Sequence, residues 1–549
     1  MKPLGGQRFG FFGARRGAVV AALIALAPLV VGRVAHSQPV PLALPELTFS
    51  GEDRFKLADI LTLDLPRALA TAEKPSAPFR LAMLEARRIA GYGPTEAPFP
   101  TVGCMNAVGF TSWFARGLGS VENTYERAVY LLEDKEPDDA EGLFREVIAD
   151  KPDGALAADS RFWLGEILAS RGNLEGALEH YLNAGRAPTP GALRDYADYN
   201  AGWAAFELKR FDVAHERFAE VAGRGTSREL ASAARFWDGL SLAESGEWKD
   251  AAAQLRTFSA ERTVAGHYAD EARYLTPVAE FQAGEYGAAA GHFTALARGP
   301  VREDLAPLAL LGEGFSRIRA GSPAPGLESL DAFLEKYPTH AQADAALLGT
   351  VVAASTLGRS DEMRQRFDRM RERFPQSPHL DAAYFEVGGH YFGKGEYERA
   401  RAVLAEMIQR FPLSKIIDLG YALLAESYMA MGSYTQAAVL FAQSQTRTQD
   451  PALKDLRRHR EAIARLYDGE TGAALAIWRD LVARERAGDP PASELHAWMG
   501  EALIRDGQWK LAHDAFAAVD PAAPRYPRAV YQLGYCAFQM GEWADAQAS

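Results

Sequence analysis

A period of 37 residues runs through the chain and constrains what it can fold into more than any other feature. The pattern is clearest at residues 381–412. There Tyr384, Val387, Gly388 and Tyr391 fall at i, i+3, i+4 and i+7, one face of a helix. Gly395 interrupts the pattern, as a glycine past a helix end does. A second face follows in Ala400, Leu404 and Met407, and Pro412 closes the unit. Gly388 and Ala400 are small where two helices must cross closely, and Tyr391, Tyr397 and Leu404 are large where a gap must be filled. Such a hairpin cannot bury its apolar faces alone and requires neighbours.

The neighbours are present. With Asp381 as position 1 of a unit, the pattern starts again at residues 121, 158, 195, 232, 270, 307, 344, 418, 455, 493 and 527. Position 8 is small in most units (Gly165, Gly202, Gly239, Gly314, Gly388, Gly500), and so is position 20 (Ala140, Ala177, Ala214, Ala400, Ala512). Position 24 is large and apolar (Phe144, Tyr181, Phe218, Phe293, Trp478, Phe516). Columns kept in register over so many units predict an all-α fold, a right-handed α-solenoid of about twelve helix hairpins over residues 121–549. Three departures predict a bend or looser segment across residues 270–375: Pro277 inside a first helix, Ser322-Pro323-Ala324-Pro325 lengthening a turn, and Met363 at the small position 20. The last four residues, Ala546 to Ser549, fall early in a second helix, so the final unit reads as truncated.

The units resemble the tetratricopeptide repeat, on Trp163-Leu164-Gly165, Ala177, Tyr181 and the prolines Pro188 and Pro190. The resemblance covers residues 121–549 and implies a binding scaffold.

Upstream the chain changes character. Lys2, Arg8, Arg15 and Arg16 give a basic start, residues 17–32 are apolar, and Val34-Ala35-His36-Ser37 offers small residues before Gln38. This reads as a signal peptide over residues 1–37, with an uncleaved anchor as the alternative; the apolar run is short for a membrane span and holds Pro28. Residues 38–120 read as a linker and a segment capping the first hairpin, with a docking segment as the alternative.

Composition excludes several function classes. The net charge of −12 becomes −17 once residues 1–37, with five basic and no acidic side chains, are removed. A chain that acidic is a poor partner for nucleic acid or anionic lipid, so membrane association is expected only through partners or an uncleaved signal. Cys104 and Cys536 are the only cysteines, which excludes a disulfide framework and paired-cysteine zinc sites. The chain lacks His-Glu-x-x-His, Gly-x-Ser-x-Gly and EF-hand patterns. Residues 388–395 imitate a phosphate loop, but Gly395 replaces the magnesium-binding hydroxyl and the stretch fits the helix pattern. We therefore expect no enzyme activity, no small-molecule cofactor and no metal.

One feature stands out as a candidate site. Positions 2, 5, 9 and 12 form a stripe on the first helices, away from the hairpin partner. In the third unit the stripe is Tyr196, Tyr199, Trp203 and Phe206. Phe236 follows in the fourth unit, and Tyr531 and Tyr535 in the last. Aromatic rings facing a groove suit capture of a peptide segment, because they offer large area for few frozen torsions. The competing reading wedges the same rings between hairpins as core.

Turns such as Gln409-Arg410-Phe411-Pro412-Leu413-Ser414 also resemble exported repeat proteins of Gram-negative envelopes, of the Tol–Pal accessory and outer-membrane assembly types. That resemblance implies a periplasmic scaffold, free or at the outer membrane, whose partners are other envelope proteins or peptides. The alternative is the helical superhelix of a soluble lytic transglycosylase whose catalytic domain lies downstream. Produced with its own N-terminus in a Gram-negative host, the mature chain is expected to begin at Gln38 by N-terminal sequencing; a product that keeps residues 1–37 contradicts the cleaved signal.

Overall fold

The computed structural model describes residues 120–548, apart from 134–135, 226–227, 261–268, 300–302, 304 and 485–491. The signal peptide over residues 1–37 and the linker and cap expected before Ser120 lie outside the described residues. Within them the chain is helical and shows no strand.

The helices come in consecutive pairs that match the units. The first four pairs are α1 (Val121–Glu133) with α2 (Pro137–Asp150), α3 (Ala155–Ser170) with α4 (Leu174–Gly185), α5 (Arg194–Glu207) with α6 (Phe211–Arg224), and α7 (Arg228–Glu244) with α8 (Trp248–Ala260). Next are α9 (Ala269–Gln282) with α10 (Tyr286–Arg298), α11 (Leu305–Arg319) with α12 (Pro323–Lys336), α13 (Ala343–Thr356) with α14 (Ser360–Arg373), and α15 (Leu380–Gly393) with α16 (Tyr397–Arg410). The last are α17 (Ile417–Ala430) with α18 (Tyr434–Gln445), α19 (Pro451–Tyr467) with α20 (Thr471–Arg484), α21 (Ala492–Arg505) with α22 (Trp509–Ala517), and α23 (Tyr526–Met540) with α24 (Trp543–Ala548). Each helix packs on its sequence neighbours, which is solenoid architecture.

The small and large columns meet as their sizes require. A methyl group added to Gly388 would stand 2.6 Å from Leu404, one added to Gly165 2.4 Å from the Tyr181 ring, and one added to Gly500 2.6 Å from the Phe516 ring. Those distances are shorter than van der Waals contact, so position 8 must be bare for the side chain at position 24 to lie across the crossing. From the second unit on, position 15 follows the first helix in the left-handed region, where glycine carries no Cβ penalty. Gly172, Gly246, Gly395, Gly432 and Gly541 show φ between 75° and 86° there. The third unit breaks the rule: Lys209 occupies position 15 with φ 59°, the one non-glycine residue with positive φ among the described residues.

Aromatic pairs staple several turns. Phe206 meets Phe211 with ring centroids 5.4 Å apart, Phe281 meets Tyr286 at 5.3 Å, Phe392 meets Tyr397 at 5.4 Å and Phe538 meets Trp543 at 5.0 Å, each edge to face. Neighbouring units are tied by recurring polar links. The Ser377 hydroxyl donates to Asp344 at 2.7 Å and the Ser414 hydroxyl to Asp381 at 2.5 Å. Arg373 donates to the Pro338 carbonyl and Arg410 to the Pro375 carbonyl, each at 3.1 Å.

One expectation needs correction. Pro323 and Pro325 do not lengthen a turn, because Pro323 begins α12. A proline at the first helical position costs nothing there, since its missing N–H would have had no partner and its fixed φ is already helical. Pro277 stands inside α9, which continues past it to Gln282. Met363 is fully buried.

The tenth and eleventh units enclose a histidine. The Trp478 indole N–H donates to His459 Nδ1 at 2.9 Å, and the rings of Trp478 and Trp498 stack 6.2 Å apart beside it. Burial holds the His459 imidazole below its usual range, against the weaker pull of Glu494. The neutral ring is thus favoured in the fold, and stability is full above pH about 6.5 and falls as pH drops through that value. Fluorescence of the Trp478 and Trp498 region should report this loss at mild acidity, and His459→Phe should flatten the pH dependence. Lys209→Gly should raise stability by about 1 kcal/mol, read as a higher denaturation midpoint, by removing a left-handed side chain. Gly388→Val should lower it by about 1–3 kcal/mol through overpacking on Leu404.

Candidate protein-binding groove

The first helices form a row of their own. Beyond their hairpin partners, α1 packs on α3, α3 on α5, α5 on α7, and α13 on α15, and no pair of consecutive second helices packs to the same extent among the described residues. Elements that approach each other more closely lie on the inside of a curve, so the first helices supply the inner face.

The structure divides the aromatic candidates. Tyr199 is buried and lies edge to face on Phe218 at 5.4 Å. Phe236 is fully buried against Phe258, with centroids 5.6 Å apart. Both are core side chains and leave the candidate set: position 5 faces the second helix of its own hairpin, α6 for Tyr199 and α8 for Phe236, and not an open groove away from the hairpin partner. Tyr274, Phe281 and Phe385 are buried in the same way. Tyr196, Trp203 and Phe206 are half-buried on α5. Phe206 is also committed to Phe211 and, at 5.3 Å, to Trp237 of α7. Tyr531 stands 72% exposed on α23, and Tyr535 is half-buried against Trp509 at 5.9 Å. The candidates therefore form two separate sets, Tyr196 with Trp203 in the third unit and Tyr531 with Tyr535 in the last.

Acidic groups at position 9 were not singled out by the sequence reading. Glu166 of α3 accepts hydrogen bonds from the Tyr181 hydroxyl at 2.6 Å and from the Asn200 amide. Burial raises its carboxyl above the usual range, against those two bonds. The same link recurs between α17 and α19, where Glu426 accepts from Arg460 Nε at 2.6 Å and from a second guanidinium nitrogen. The spacing is the same 34 residues in both cases, but Asn200 is neutral where Arg460 is charged. The position-9 carboxyl of the ninth unit is thus matched by a guanidinium of the tenth, whereas that of the second unit accepts from a hydroxyl of its own hairpin and an amide of the third. Glu166 and Trp203 occupy the same column of adjacent first helices, so the inner face there combines an aromatic ring with a carboxyl.

Among the described residues no three His, Cys, Asp or Glu side chains gather as metal ligands, and no helix is long and apolar enough to cross a membrane. Cys536 is free and buried, and burial pushes its thiol up to about 11. Cys104 lies outside the described residues. The stretch resembling a phosphate loop runs along α15 into its turn, with Gly395 at φ 76°.

The paired helices, the bare position 8 and the ring at position 24 have a counterpart in known proteins. The tetratricopeptide repeat family model matches residues 125–192 and 199–261, the first four units. Residues 125–192 and 199–261 carry tetratricopeptide repeats. Solved structures similar to it include a tetratricopeptide repeat protein from Parabacteroides merdae, 17% identical with a TM-score of 0.38, over 48% of this chain and 97% of that one. The C-terminal part of a repeat-containing protein from Cytophaga hutchinsonii is 15% identical, with a TM-score of 0.38 over 47% of this chain and 99% of that one. The Naa15/Naa10 assembly bound to HypK-THB is 12% identical, with a TM-score of 0.33 over 79% and 70%. No curated protein matches the sequence.

In these helix hairpins, core and groove positions predict different costs. Tyr199→Ala should destabilise by about 3 kcal/mol by leaving a cavity against Phe218, whereas Tyr531→Ala should change stability by less than about 0.5 kcal/mol. Thermal unfolding of the two variants checks the division.

Proposed function

We propose that the protein is a scaffold that holds another protein by the inner face of its tetratricopeptide repeats, with the second and third units as the principal contact. The observation that carries this reading is the shared column of half-buried Trp203 and half-buried Glu166 on adjacent first helices, with half-buried Tyr196 on the same helix as Trp203 and the Glu166 carboxyl raised by desolvation. An aromatic ring on a rigid helix offers contact area at low entropic cost, and a carboxyl in a desolvated place rewards a donor from the partner. A segment with an apolar side chain flanked by lysine or arginine suits both features, and the net acidity of the chain attracts such a segment. In this reading the protein holds its partner and transforms nothing.

The basic start, apolar run and small residues before Gln38 support export to the periplasm, so the partners are other proteins of the cell envelope. Photo-crosslinking in cells tests the contact face. A photoreactive residue at position 203 should capture a partner, and one at position 439, on the second helix α18 where Val439 is 52% exposed, should not. Equal capture from both positions contradicts the assignment. Against the captured partner, Trp203→Ala should weaken binding about tenfold or more while circular dichroism stays unchanged.

A further inference from the structure

We propose that the stack carries an acid-opened hinge at the seam between the tenth and eleventh units, with His459 as its trigger. Among the described residues this seam is the thinnest of the stack: α19 and α20 together meet α21 less extensively than the helices at any other seam meet. Two links across it differ in kind. At one, the Trp478 ring of α20 stacks on the Trp498 ring of α21, and His459 of α19 lies edge to face on Trp498 with centroids 6.5 Å apart. At the other, on the turn edge, Arg505 of α21 donates to the Leu466 carbonyl at 3.1 Å and lies over the Tyr467 ring, 4.9 Å from its centre. Only the first contains a group whose charge ordinarily changes between pH 5 and 8.

His459 occupies position 5, where other units place Phe162, Phe236 and Phe385. It is 3% exposed. Its Nδ1 accepts the Trp478 indole N–H, so its own hydrogen is on Nε2, 3.8 Å from Glu494 Oε1 of α21. A second proton has only Nδ1 to go to. There it would face the indole N–H, donor against donor, and the bond between α19 and α20 would be lost. His459 and Trp478 are both rings that Trp498 packs on, so displacing them uncovers α21.

The surroundings do not absorb the charge. Glu494 is the facing carboxylate, and Arg460 of α19 and Arg525, ahead of α23, oppose it. From α20 the ring meets a neutral indole, α18 carries no carboxylate or cation, and Glu426 of α17 is engaged by Arg460. Burial, the larger effect, holds the imidazole below its usual range. Closure is therefore fully favoured above pH about 6.5 and weakens below it, the open-to-closed ratio rising by up to about tenfold per pH unit. Because each unit packs on its neighbours alone, this seam can open while others stay shut, with the Arg505 link as the pivot. Opening swings the eleventh and twelfth units, and with them Tyr531 and Tyr535, relative to the third. The hinge does not rest on the protein-binding reading.

Hydrogen exchange read by mass spectrometry on the whole chain at pH 7.5 and 5.0, corrected for the intrinsic effect of pH, tests the proposal. Helices α20 and α21 should exchange about tenfold faster at the lower pH, while α3 to α8 keep their rates. His459→Phe, the ring found at position 5 of other units, should remove the difference. If that variant does not fold, His459→Gln, which keeps an acceptor for the indole and does not titrate, decides. Unchanged exchange in the parent overturns the hinge, and so does acid-enhanced exchange that spreads over the whole chain or persists in the folded variant.

Discussion

The solenoid depends on a small residue, most often glycine, facing a large side chain across most of its hairpins. Where position 8 has no Cβ, the ring or branched chain at position 24 can lie over the first helix, and the two helices close to a fixed separation. That separation sets where the hairpin's other positions point. Position 5 then falls against the second helix of the same hairpin, position 9 on the inner face, and position 12 over the turn, against the aromatic residue that opens the second helix. The polar links of Ser377 and Ser414 to the preceding units' aspartates act on hairpins whose geometry this contact has already decided.

The architecture was legible because the repeat writes each constraint many times. A single Gly388 could mean little, but the same column filled with glycine or alanine leaves one packing solution. The aromatic stripe was less legible. With 3.6 residues per turn, positions 5 and 9 come round to nearly the same side of the helix, so periodicity alone could not separate Tyr199, which is core, from Trp203, which is half-buried. The difference lies in how far the next unit reaches over each position, which depends on tertiary packing. The prolines after Ser322 misled for another reason: proline signals a turn and a helix start alike, and only backbone geometry distinguishes them.

The buried carboxyl of Glu280 was not legible at all. In sequence it reads as one acidic residue among many on a solvated face. Its complete burial, and its bonds to Arg256 and His292, are visible only once α8 and α10 close over it.

The contacts of the molecule are almost all between helices adjacent in the chain. Among the described residues no element near one end braces an element near the other. Tension applied along the stack would therefore peel hairpins away in succession, each releasing a similar length of chain, and a lightly loaded stack would stretch and recoil by small rotations at every seam. A body built this way behaves as a spring, able to stay attached at two points while the distance between them changes.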